Sequence, residues 1–325
     1  MIISRTPLRV SFCGGGTDID DFSMSEPNGG RVVSAALSRY VYVTVNRRFD
    51  DRIRVSYSTM EDAGSLENIQ HGLVREALRL TGIESGVEIT TIADIPGQGT
   101  GLGSSSSVTV GLLNAMHAFQ GREVSKEQLA EEACQIEIDT LGAPIGRQDQ
   151  YAASFGGVNS IRFGENGVQV EPIEVSEGLS KKFSENFTLV FTGLTRSASK
   201  VLSEQSDDES DKNSRMREIR KHADEAASHI ENGDLDSLGA ILNQTWISKR
   251  GVSSMVTNTQ IDELYERVIS SGALGAKLLG AGNGGFLLVC GNQHLRGILQ
   301  RELGEGHRMF PLEIDFSGSS IIFGT

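Results

Sequence analysis

One stretch, residues 87–119, constrains the fold of this chain more than any other. Positions that suit a buried face largely alternate with more polar positions from Val87 to Ala93, which is the pattern of a half-buried strand. Four alternate glycines and four consecutive serines come next: Gly97, Gly99, Gly101, Gly103 and Ser104 to Ser107. An apolar run then ends at Gly121, which predicts a core helix whose first turn lies among the serines. Because glycines let a ligand approach the backbone and a helix start favours negative charge, the simplest ligand for this loop is a phosphate.

Two common nucleotide-binding motifs do not fit this loop. A Walker P-loop needs a lysine directly after its last glycine, where this chain has Ser104. The dinucleotide spacing is met by Gly280, Gly282 and Gly285, but that loop leads into a strand-like run and not into a helix. The loop therefore predicts a phosphate site of another type, with a purely structural helix cap as the alternative.

The charge of the chain restricts its partners. The 43 acidic and 30 basic residues give a formal net charge of −13, which argues against nucleic acid as a partner. A phosphate ligand would then need local donors and a bound cation, and magnesium is the first candidate. Arg5 and Arg9 interrupt the first apolar residues and no run reaches membrane-spanning length, so we expect a cytoplasmic protein without membrane contact.

A first glycine loop follows the strand-like run that ends at Cys13. It comprises Gly14 to Gly16 and continues into Thr17 and Asp18. Three glycines at a strand end indicate either a tight turn or a backbone close to a ligand. Arg9 in the strand supplies a fixed positive charge, and the carboxylate of Asp18 could accept hydrogen bonds from sugar hydroxyls.

Two acids stand out further along the chain. A capping box at Ser125 begins a helix that we predict to run to about Leu141. Its buried face is predicted to carry Glu137 together with Ala130, Ala133, Cys134 and Leu141. A buried acid needs a salt bridge, a helix cap or a magnesium ion as partner. Asp149 lies at the next loop-to-helix transition, where capping is favoured from the residues alone and a position facing a cleft is the alternative.

Strand-like and helical segments alternate irregularly over the whole chain. This order predicts an α+β fold in two parts, which we divide into residues 1–180 and 181–325. In the second part, strand-like runs flank a third glycine loop, Gly280 to Gly285, whose backbone could contact a phosphate.

The three loops, in this order, resemble the three motifs of the GHMP kinases. The segments that carry the resemblance are Pro7 to Asp18, Gly101 to Ser106 and Lys277 to Gly285, so it covers essentially the whole chain. It implies an N-terminal ribosomal-S5-like domain, a C-terminal ferredoxin-like domain and an active site in the cleft between them. It also implies ATP as the phosphoryl donor and Mg²⁺ as the cofactor.

The resemblance also implies roles for individual residues. It makes Asp149 the catalytic aspartate with Arg9 beside it, and it makes Ser105 and Glu137 the magnesium ligands. The ATP loop would comprise Gly99, Gly101, Leu102, Gly103, Ser104, Ser105, Ser106 and Ser107. The acceptor would be bound by Gly15, Gly16, Thr17, Asp18, Arg196, Gly282, Asn283 and Gly284. The chain departs from the family pattern in a loop from Pro96 to Gly101 that is one residue longer and in Asn283, where a glycine is common.

Within the family, the segments 5–18, 148–157 and 192–198 most resemble heptose 7-phosphate kinases. This implies ATP-dependent phosphorylation of the anomeric C1 hydroxyl of D-glycero-D-manno-heptose 7-phosphate, on the way to a nucleotide-activated heptose. Arg196, Lys249 or Arg250 could reach the sugar's own phosphate, with a plain surface charge as the alternative for each. A fucokinase-like or other C1 sugar kinase and a non-catalytic binding protein of the same fold are the alternative functions, and a homodimer is compatible with all three.

Overall fold

The computed structural model describes residues 1–95, 99–195, 209–253 and 255–324, apart from the side chains of residues 209 and 210. The strands in these ranges are β1 (Ile2–Cys13), β2 (Gly30–Arg47), β3 (Ile53–Ser56), β4 (Met60–Ala63), β5 (Val87–Ala93), β6 (Val158–Gly164), β7 (Gly167–Ile173), β8 (Phe187–Phe191), β9 (Gly275–Leu278), β10 (Phe286–Cys290), β11 (Met309–Pro311) and β12 (Ser320–Gly324). The α-helices are α1 (Asp20–Ser23), α2 (Gly72–Thr81), α3 (Ser104–Phe119), α4 (Lys126–Cys134), α5 (Gln148–Phe155), α6 (Glu177–Asn186), α7 (Glu209–Glu231), α8 (Leu235–Arg250), α9 (Thr259–Ser270) and α10 (Leu295–Leu303). A short 3₁₀ turn covers Leu66–Asn68, and a π-helical turn covers Gln135–Thr140.

The first sheet is built around β2, a strand of 18 residues. The sheet has eight strands in the order β12-β1-β2-β5-β3-β4, and β6 also pairs with β2 and carries β7. The first part of β2 pairs with β6 and its last part with β5, while β1 runs antiparallel along both parts. This long strand therefore fixes β1, β5 and β6 relative to one another, and the ends of β1 and β5 lead into the first and second glycine loops.

The second sheet has four antiparallel strands in the order β11-β8-β10-β9. In chain order this is fourth, first, third and second strand, with helices between the first and second strands and between the third and fourth. That arrangement is ferredoxin-like, so the predicted α+β fold with a ferredoxin-like second part is confirmed. The last strand, β12, returns to the first sheet and pairs with β1. The division of the chain near residue 180 stays a prediction.

Helix α3 lies against β1 and β2, and Gly111 lets it approach closely. A Cβ at Gly111 would lie 3.0 Å from Thr6 Oγ1 and 3.2 Å from Val43 Cγ2. Ser4 in β1 donates a hydrogen bond to the Gly111 carbonyl at 2.7 Å. Because the helix is held on the sheet in this way, the position of its first turn is fixed relative to β1.

An aromatic cluster joins the first sheet to the second. Phe12 of β1 lies with its ring centroid 5.7 Å from those of Phe183 in α6 and Phe187 in β8, and all three side chains are fully buried. Contacts of this kind stabilise by burial and by ring geometry. The end of β1, which leads into the first glycine loop, is therefore anchored to the second part of the chain.

The predicted strand β5 and helix α3 are confirmed, and one helix prediction was wrong. The segment around residue 180, where we place the division of the chain, forms helix α6, whose first turn is capped by Ser176 accepting from the Leu179 N–H at 3.2 Å. The helix predicted to run to Leu141 ends at Cys134 and continues as the π-helical turn. The wider turn rotates the chain, so Leu141 is 38% exposed and does not share the buried face of Glu137.

Candidate functional site

The second glycine loop ends at Gly103, which is the N-cap of α3 and has a left-handed backbone with φ 73°. The first N–H groups of the helix have no partner within it and point into the loop region. Two serines secure the turn: Ser107 donates to the Pro7 carbonyl at 2.8 Å, and Ser104 lies 3.2 Å from Thr100 Oγ1. The helix start, with its partial positive charge, is thus tied to β1.

The second and third glycine loops are in direct backbone contact. A Cβ on Gly101 would lie 2.4 Å from the Leu279 carbonyl oxygen, and one on Gly280 would lie 2.5 Å from Gly101 Cα. A Cβ on Gly285 would lie 2.3 Å from the Thr100 carbonyl oxygen. Real Cβ atoms do not approach this closely, so the two loops meet only because these positions are glycine.

Arg9 and Asp149 form a two-pronged ion pair at this meeting point. Arg9 donates from Nε and Nη2 to the two carboxylate oxygens, at 2.6 Å each, and from Nη1 to the Gly101 carbonyl at 2.5 Å. The Arg9 side chain is 5% exposed and that of Asp149 is 21% exposed, so the carboxylate remains accessible. A Cβ on Gly103 would lie 3.2 Å from Asp149 Oδ2, which sets this carboxylate directly beside the start of α3.

The interpretation of Asp149 as a helix cap, favoured from the residues alone, was wrong. The N-cap of α5 is Arg147, and no side chain caps this helix. Asp149 follows in the first turn and uses both of its oxygens for Arg9, a residue 140 positions earlier in the chain. The family resemblance therefore predicted that Arg9 lies beside Asp149, whereas the local sequence did not.

Glu137 lies in the π-helical turn and is 2% exposed. Its Oε2 accepts from Ser106 Oγ at 3.0 Å and from Gln150 Nε2 at 3.3 Å, while Oε1 has no hydrogen-bond partner among the residues described. Burial raises the pKa of Glu137 to about 7, the nearby charge of Asp149 also raises it, and hydroxyl hydrogen bonds oppose the shift. A buried oxygen without a partner, beside hydroxyl groups, fits a divalent cation with oxygen ligands.

Ser105 and Ser106 differ in a way that the sequence does not reveal. The predicted magnesium ligand Ser105 has an exposed side chain, whereas Ser106 is 2% exposed and contacts Glu137 directly. Four consecutive serines carry no signal that separates these two positions, because the contact depends on how the π-helical turn presents Glu137. The assignment of Ser105 stays a prediction.

The first glycine loop is held by Asp18, which is 1% exposed. Asp18 Oδ1 accepts from the Gly16 N–H and from Gln148 Nε2, both at 2.9 Å, and Oδ2 accepts from the Gln148 N–H at 3.0 Å. Burial is the main cause that raises the pKa of Asp18, and the charge of Asp149 adds to it. This carboxylate therefore joins the loop to the start of α5 and positions Gly15 and Gly16 beside Asp149's helix.

Thr17 and the third loop are also held by backbone contacts. Thr17 Oγ1 donates to the Gly14 carbonyl at 2.8 Å, and its side chain is fully buried. Asn283 has a left-handed backbone with φ 59°, a conformation that asparagine tolerates better than most residues, so it can replace a glycine here. Gly282 and Gly284 pack against the backbones of Val256 and Leu194. Arg196, the other predicted acceptor residue, lies outside the described residues.

Two lysines of the second part of the chain approach this region. Lys277 is 1% exposed and donates to the Ser11 carbonyl at 2.5 Å; burial, aided by the charges of Lys249 and Arg9, lowers its pKa to about 7. Lys249 donates to the Gly280 carbonyl at 2.5 Å, and its pKa is lowered to about 8 by burial and by Arg9. Sequence reasoning gave Lys277 no separate role, because nothing in a strand-like run marks a buried ammonium group.

Across the described ranges no group of three or more His, Cys, Asp or Glu side chains could hold a metal ion. Magnesium is commonly held by one or two carboxylates together with substrate phosphates, so Glu137 alone is compatible with it. No helix in the described part of the chain has both the length and the apolar character needed to cross a membrane.

Two protein-family domains and several known proteins are similar to this chain. Residues 68–157 match the GHMP kinases N-terminal domain, and residues 226–306 match the GHMP kinases C-terminal domain. A D-glycero-alpha-D-manno-heptose 7-phosphate kinase from Campylobacter jejuni is 30% identical over 304 residues, which cover 88% of each chain. A bifunctional fucokinase/GDP-fucose pyrophosphorylase from Arabidopsis thaliana is 27% identical over 95% of this chain but only 31% of that longer protein.

A solved structure gives the same fold. The crystal structure of a D-glycero-D-manno-heptose 1-phosphate kinase from Bacteroides thetaiotaomicron aligns with a TM-score of 0.82 at 23% identity, over 100% of both chains. The family resemblance carried by the three glycine loops is confirmed by the two matched domains and by the 30% identical relative. The chain belongs to the GHMP kinases and is an ATP-dependent phosphotransferase.

Proposed function

We propose that this chain is a sugar kinase that phosphorylates the anomeric C1 hydroxyl of D-glycero-D-manno-heptose 7-phosphate. The product would be the 1,7-bisphosphate, used for synthesis of a nucleotide-activated heptose. One observation carries the proposal: a partly exposed carboxylate, Asp149, is fixed by Arg9 directly beside the N-terminus of α3. The 30% identity to a heptose 7-phosphate kinase supports the choice of acceptor.

The nucleotide would lie along the second glycine loop. The left-handed turns at Gly99, Gly101 and Gly103 leave the backbone free of side chains, and the first N–H groups of α3 are available to phosphate oxygens. Leu102 is fully buried, and its backbone joins the loop to β1 because its carbonyl accepts from the Arg9 N–H at 3.0 Å. The triphosphate would therefore lie with its terminal phosphate close to Asp149.

Glu137 would hold Mg²⁺ together with a serine at the start of α3. Its unpartnered Oε1 and the hydroxyl of Ser106 on Oε2 support this assignment, and Ser105 is the second candidate hydroxyl. When bound, the ion would offset negative charge on the phosphate oxygens.

Asp149 and Arg9 would act on the reacting groups. In the transfer, a bond forms between the C1 oxygen and the terminal phosphorus, the bond from that phosphorus to the bridging oxygen breaks, and ADP leaves. Asp149 would orient the C1 hydroxyl and take its proton, while Arg9 holds the carboxylate in place. Kinases depend mainly on such positioning and on charge stabilisation, which a rigid two-pronged pair provides.

The acceptor would lie against the first and third glycine loops. Gly15 lies near Gln148, and the Gly16 N–H donates to Asp18; Gly282, Asn283 and Gly284 would bind the acceptor from the third loop. Asp18 is occupied by Gly16 and Gln148, so we propose that it positions this loop in addition to any contact with the sugar. Arg196 and Thr17 complete the proposed acceptor residues.

The test is ADP release with a panel of acceptors. The panel contains heptose 7-phosphate, the same heptose without phosphate, L-fucose, galactose and mevalonate. We expect kcat/KM for the phosphorylated heptose to exceed every other value by at least about 100-fold, because a recognised phosphate adds several kcal/mol of binding energy. A higher value for L-fucose would favour the second candidate, a fucokinase, which the 27% identical relative supports. No turnover with any acceptor of the panel would contradict the proposed acceptor.

A further inference from the structure

Lys249 lies in the last turn of α8 and is partly exposed. Its ammonium group donates to the Gly280 carbonyl at 2.5 Å. Within the ranges that the structure describes, no carboxylate lies within 4.0 Å of it to form an ion pair. Its neighbour Arg250, by contrast, is paired with Asp262 at 2.9 Å and lies over the ring of Tyr265. The two adjacent cations thus differ in whether their charge is matched.

The carbonyl that Lys249 contacts belongs to the point where the glycine loops meet. Gly280 packs on Gly101, and the Gly101 carbonyl accepts from Arg9. Lys249 and Arg9 therefore approach the meeting point from the two parts of the chain. The pKa of Lys249 reflects this position: burial and Arg9 lower it to about 8, while Asp18 and Asp149 oppose the shift.

Two ammonium groups in this region have no ion-pair partner among the described residues. Arg9 is matched by Asp149, but Lys249 and Lys277 contact only carbonyl oxygens, and Asp18 accepts its hydrogen bonds from neutral donors. Placing two ammonium groups close to a guanidinium costs free energy unless an anion joins them. In a phosphotransferase the anion that reaches Asp149 is the phosphoryl group in transfer. The acceptor's own phosphate, at the other end of the sugar from the C1 hydroxyl, would lie away from Asp149.

We propose that Lys249 is a catalytic residue whose ammonium group contacts the transferring phosphoryl group, opposite Arg9. This inference rests on the proposed sugar-kinase function but not on the identity of the sugar. It differs from a role in binding the acceptor's phosphate, since the charge would act on whichever acceptor is turned over. Lys249 would thereby bring a cation from the second part of the chain to Arg9 and Asp149, which come from the first.

The test compares Lys249→Met and Lys249→Arg with the wild type. The acceptor is the best one found for the wild type, so a wrong heptose assignment would appear in the wild-type panel and not in the variant ratios. We expect Lys249→Met to lower kcat about 100- to 1000-fold, the size of effect seen when one group that stabilises transition-state charge is removed. The KM for ATP and the KM for the acceptor should change little. Lys249→Arg should recover part of the loss. Lys221→Met, a surface lysine paired with Glu225 and 75% exposed, is the matched control and should keep wild-type kcat.

A binding measurement separates this role from a structural one. Binding of ADP with aluminium fluoride, which mimics the transferring phosphoryl group, should weaken at least about 30-fold in Lys249→Met, while binding of ADP alone should stay within about threefold. Thermal unfolding checks that the variant is folded. An unchanged kcat, or a rise in KM confined to the phosphorylated acceptor, would overturn the inference. So would equal weakening of ADP and of ADP with aluminium fluoride.

Discussion

Lys277 allows a quantitative prediction about stability. Its pKa in the folded protein is about 7 against an ordinary value of 10.5, a difference of 3.5 that corresponds to about 5 kcal/mol. The pKa of Lys277 is lower in the folded protein than in the unfolded chain. Below pH 7 the lysine is protonated in both states, so the full cost of burying its charge lowers the free energy of unfolding. The penalty decreases as pH rises from 7 towards 10.5 and is absent above that value. Between pH 7 and pH 10 the contribution of Lys277 to the free energy of unfolding should therefore become more favourable by roughly 3 to 4 kcal/mol.

The perturbation is Lys277→Met, which removes the charge and keeps a similar shape. The variant loses the hydrogen bond to the Ser11 carbonyl, which costs about 1 kcal/mol at every pH. We expect the variant to be more stable than the wild type by about 3 kcal/mol at pH 7 and equally stable near pH 10. Urea unfolding at four pH values between 7 and 10 measures the difference. Lys221→Met, which removes an exposed ammonium group, should show a difference that does not vary with pH.

The reasoning would be refuted by parallel pH curves for the wild type and Lys277→Met. Parallel curves would mean that Lys277 titrates in the folded protein near its unfolded value and that its burial is offset by another group. A variant that is less stable at pH 7 would lead to the same conclusion. Activity is not needed for either result, so the prediction is independent of the proposed acceptor.

Three further predictions concern the site. Asp149→Asn should fold normally by circular dichroism and lower kcat about 100- to 10,000-fold, since it keeps the shape and removes the proton acceptor; wild-type turnover would contradict the assignment. Gly101→Ala should raise the KM for ATP at least about tenfold, because its Cβ would lie 2.4 Å from the Leu279 carbonyl, whereas Gly121→Ala, with similar φ and nothing within 4 Å, should leave it unchanged. Ser106→Ala should raise the Mg²⁺ concentration needed for half-maximal rate more than Ser105→Ala does, and the reverse order would support Ser105 as the ligand.

The parts of the fold that follow from short-range patterns could be predicted. The period of two in Val87 to Ala93 and the apolar run after Ser107 gave β5 and α3, because each signal is complete within its own segment. The capping box at Ser125 likewise gave the start of α4, where Ser125 accepts from the Gln128 N–H at 3.1 Å.

The parts that depend on distant contacts could not be predicted. No local signal marks the π-helical turn, so the burial of Glu137 was predicted correctly but the exposure of Leu141 was not. The same limit applies to Asp18, whose partner Gln148 is 130 residues away, and to the two lysines, whose surroundings come from the opposite part of the chain. The family resemblance identified Arg9, Asp149 and Glu137, but only the packing of the chain determined which groups meet.

The contacts between the glycine loops explain why the site could nevertheless be located from the sequence. Gly101, Gly280 and Gly285 each lie so close to the backbone of a facing loop that a Cβ would overlap it. The second and third glycine loops therefore each require glycine because of the other, so the requirement appears in two distant segments at once. A glycine that only shapes its own turn, such as Gly121, makes no such demand on the rest of the chain. Glycine loops at distant positions in one chain are thus a long-range signal in the local composition, and two of them meet where Arg9 binds Asp149 and the Gly101 carbonyl and where Lys249 contacts the Gly280 carbonyl.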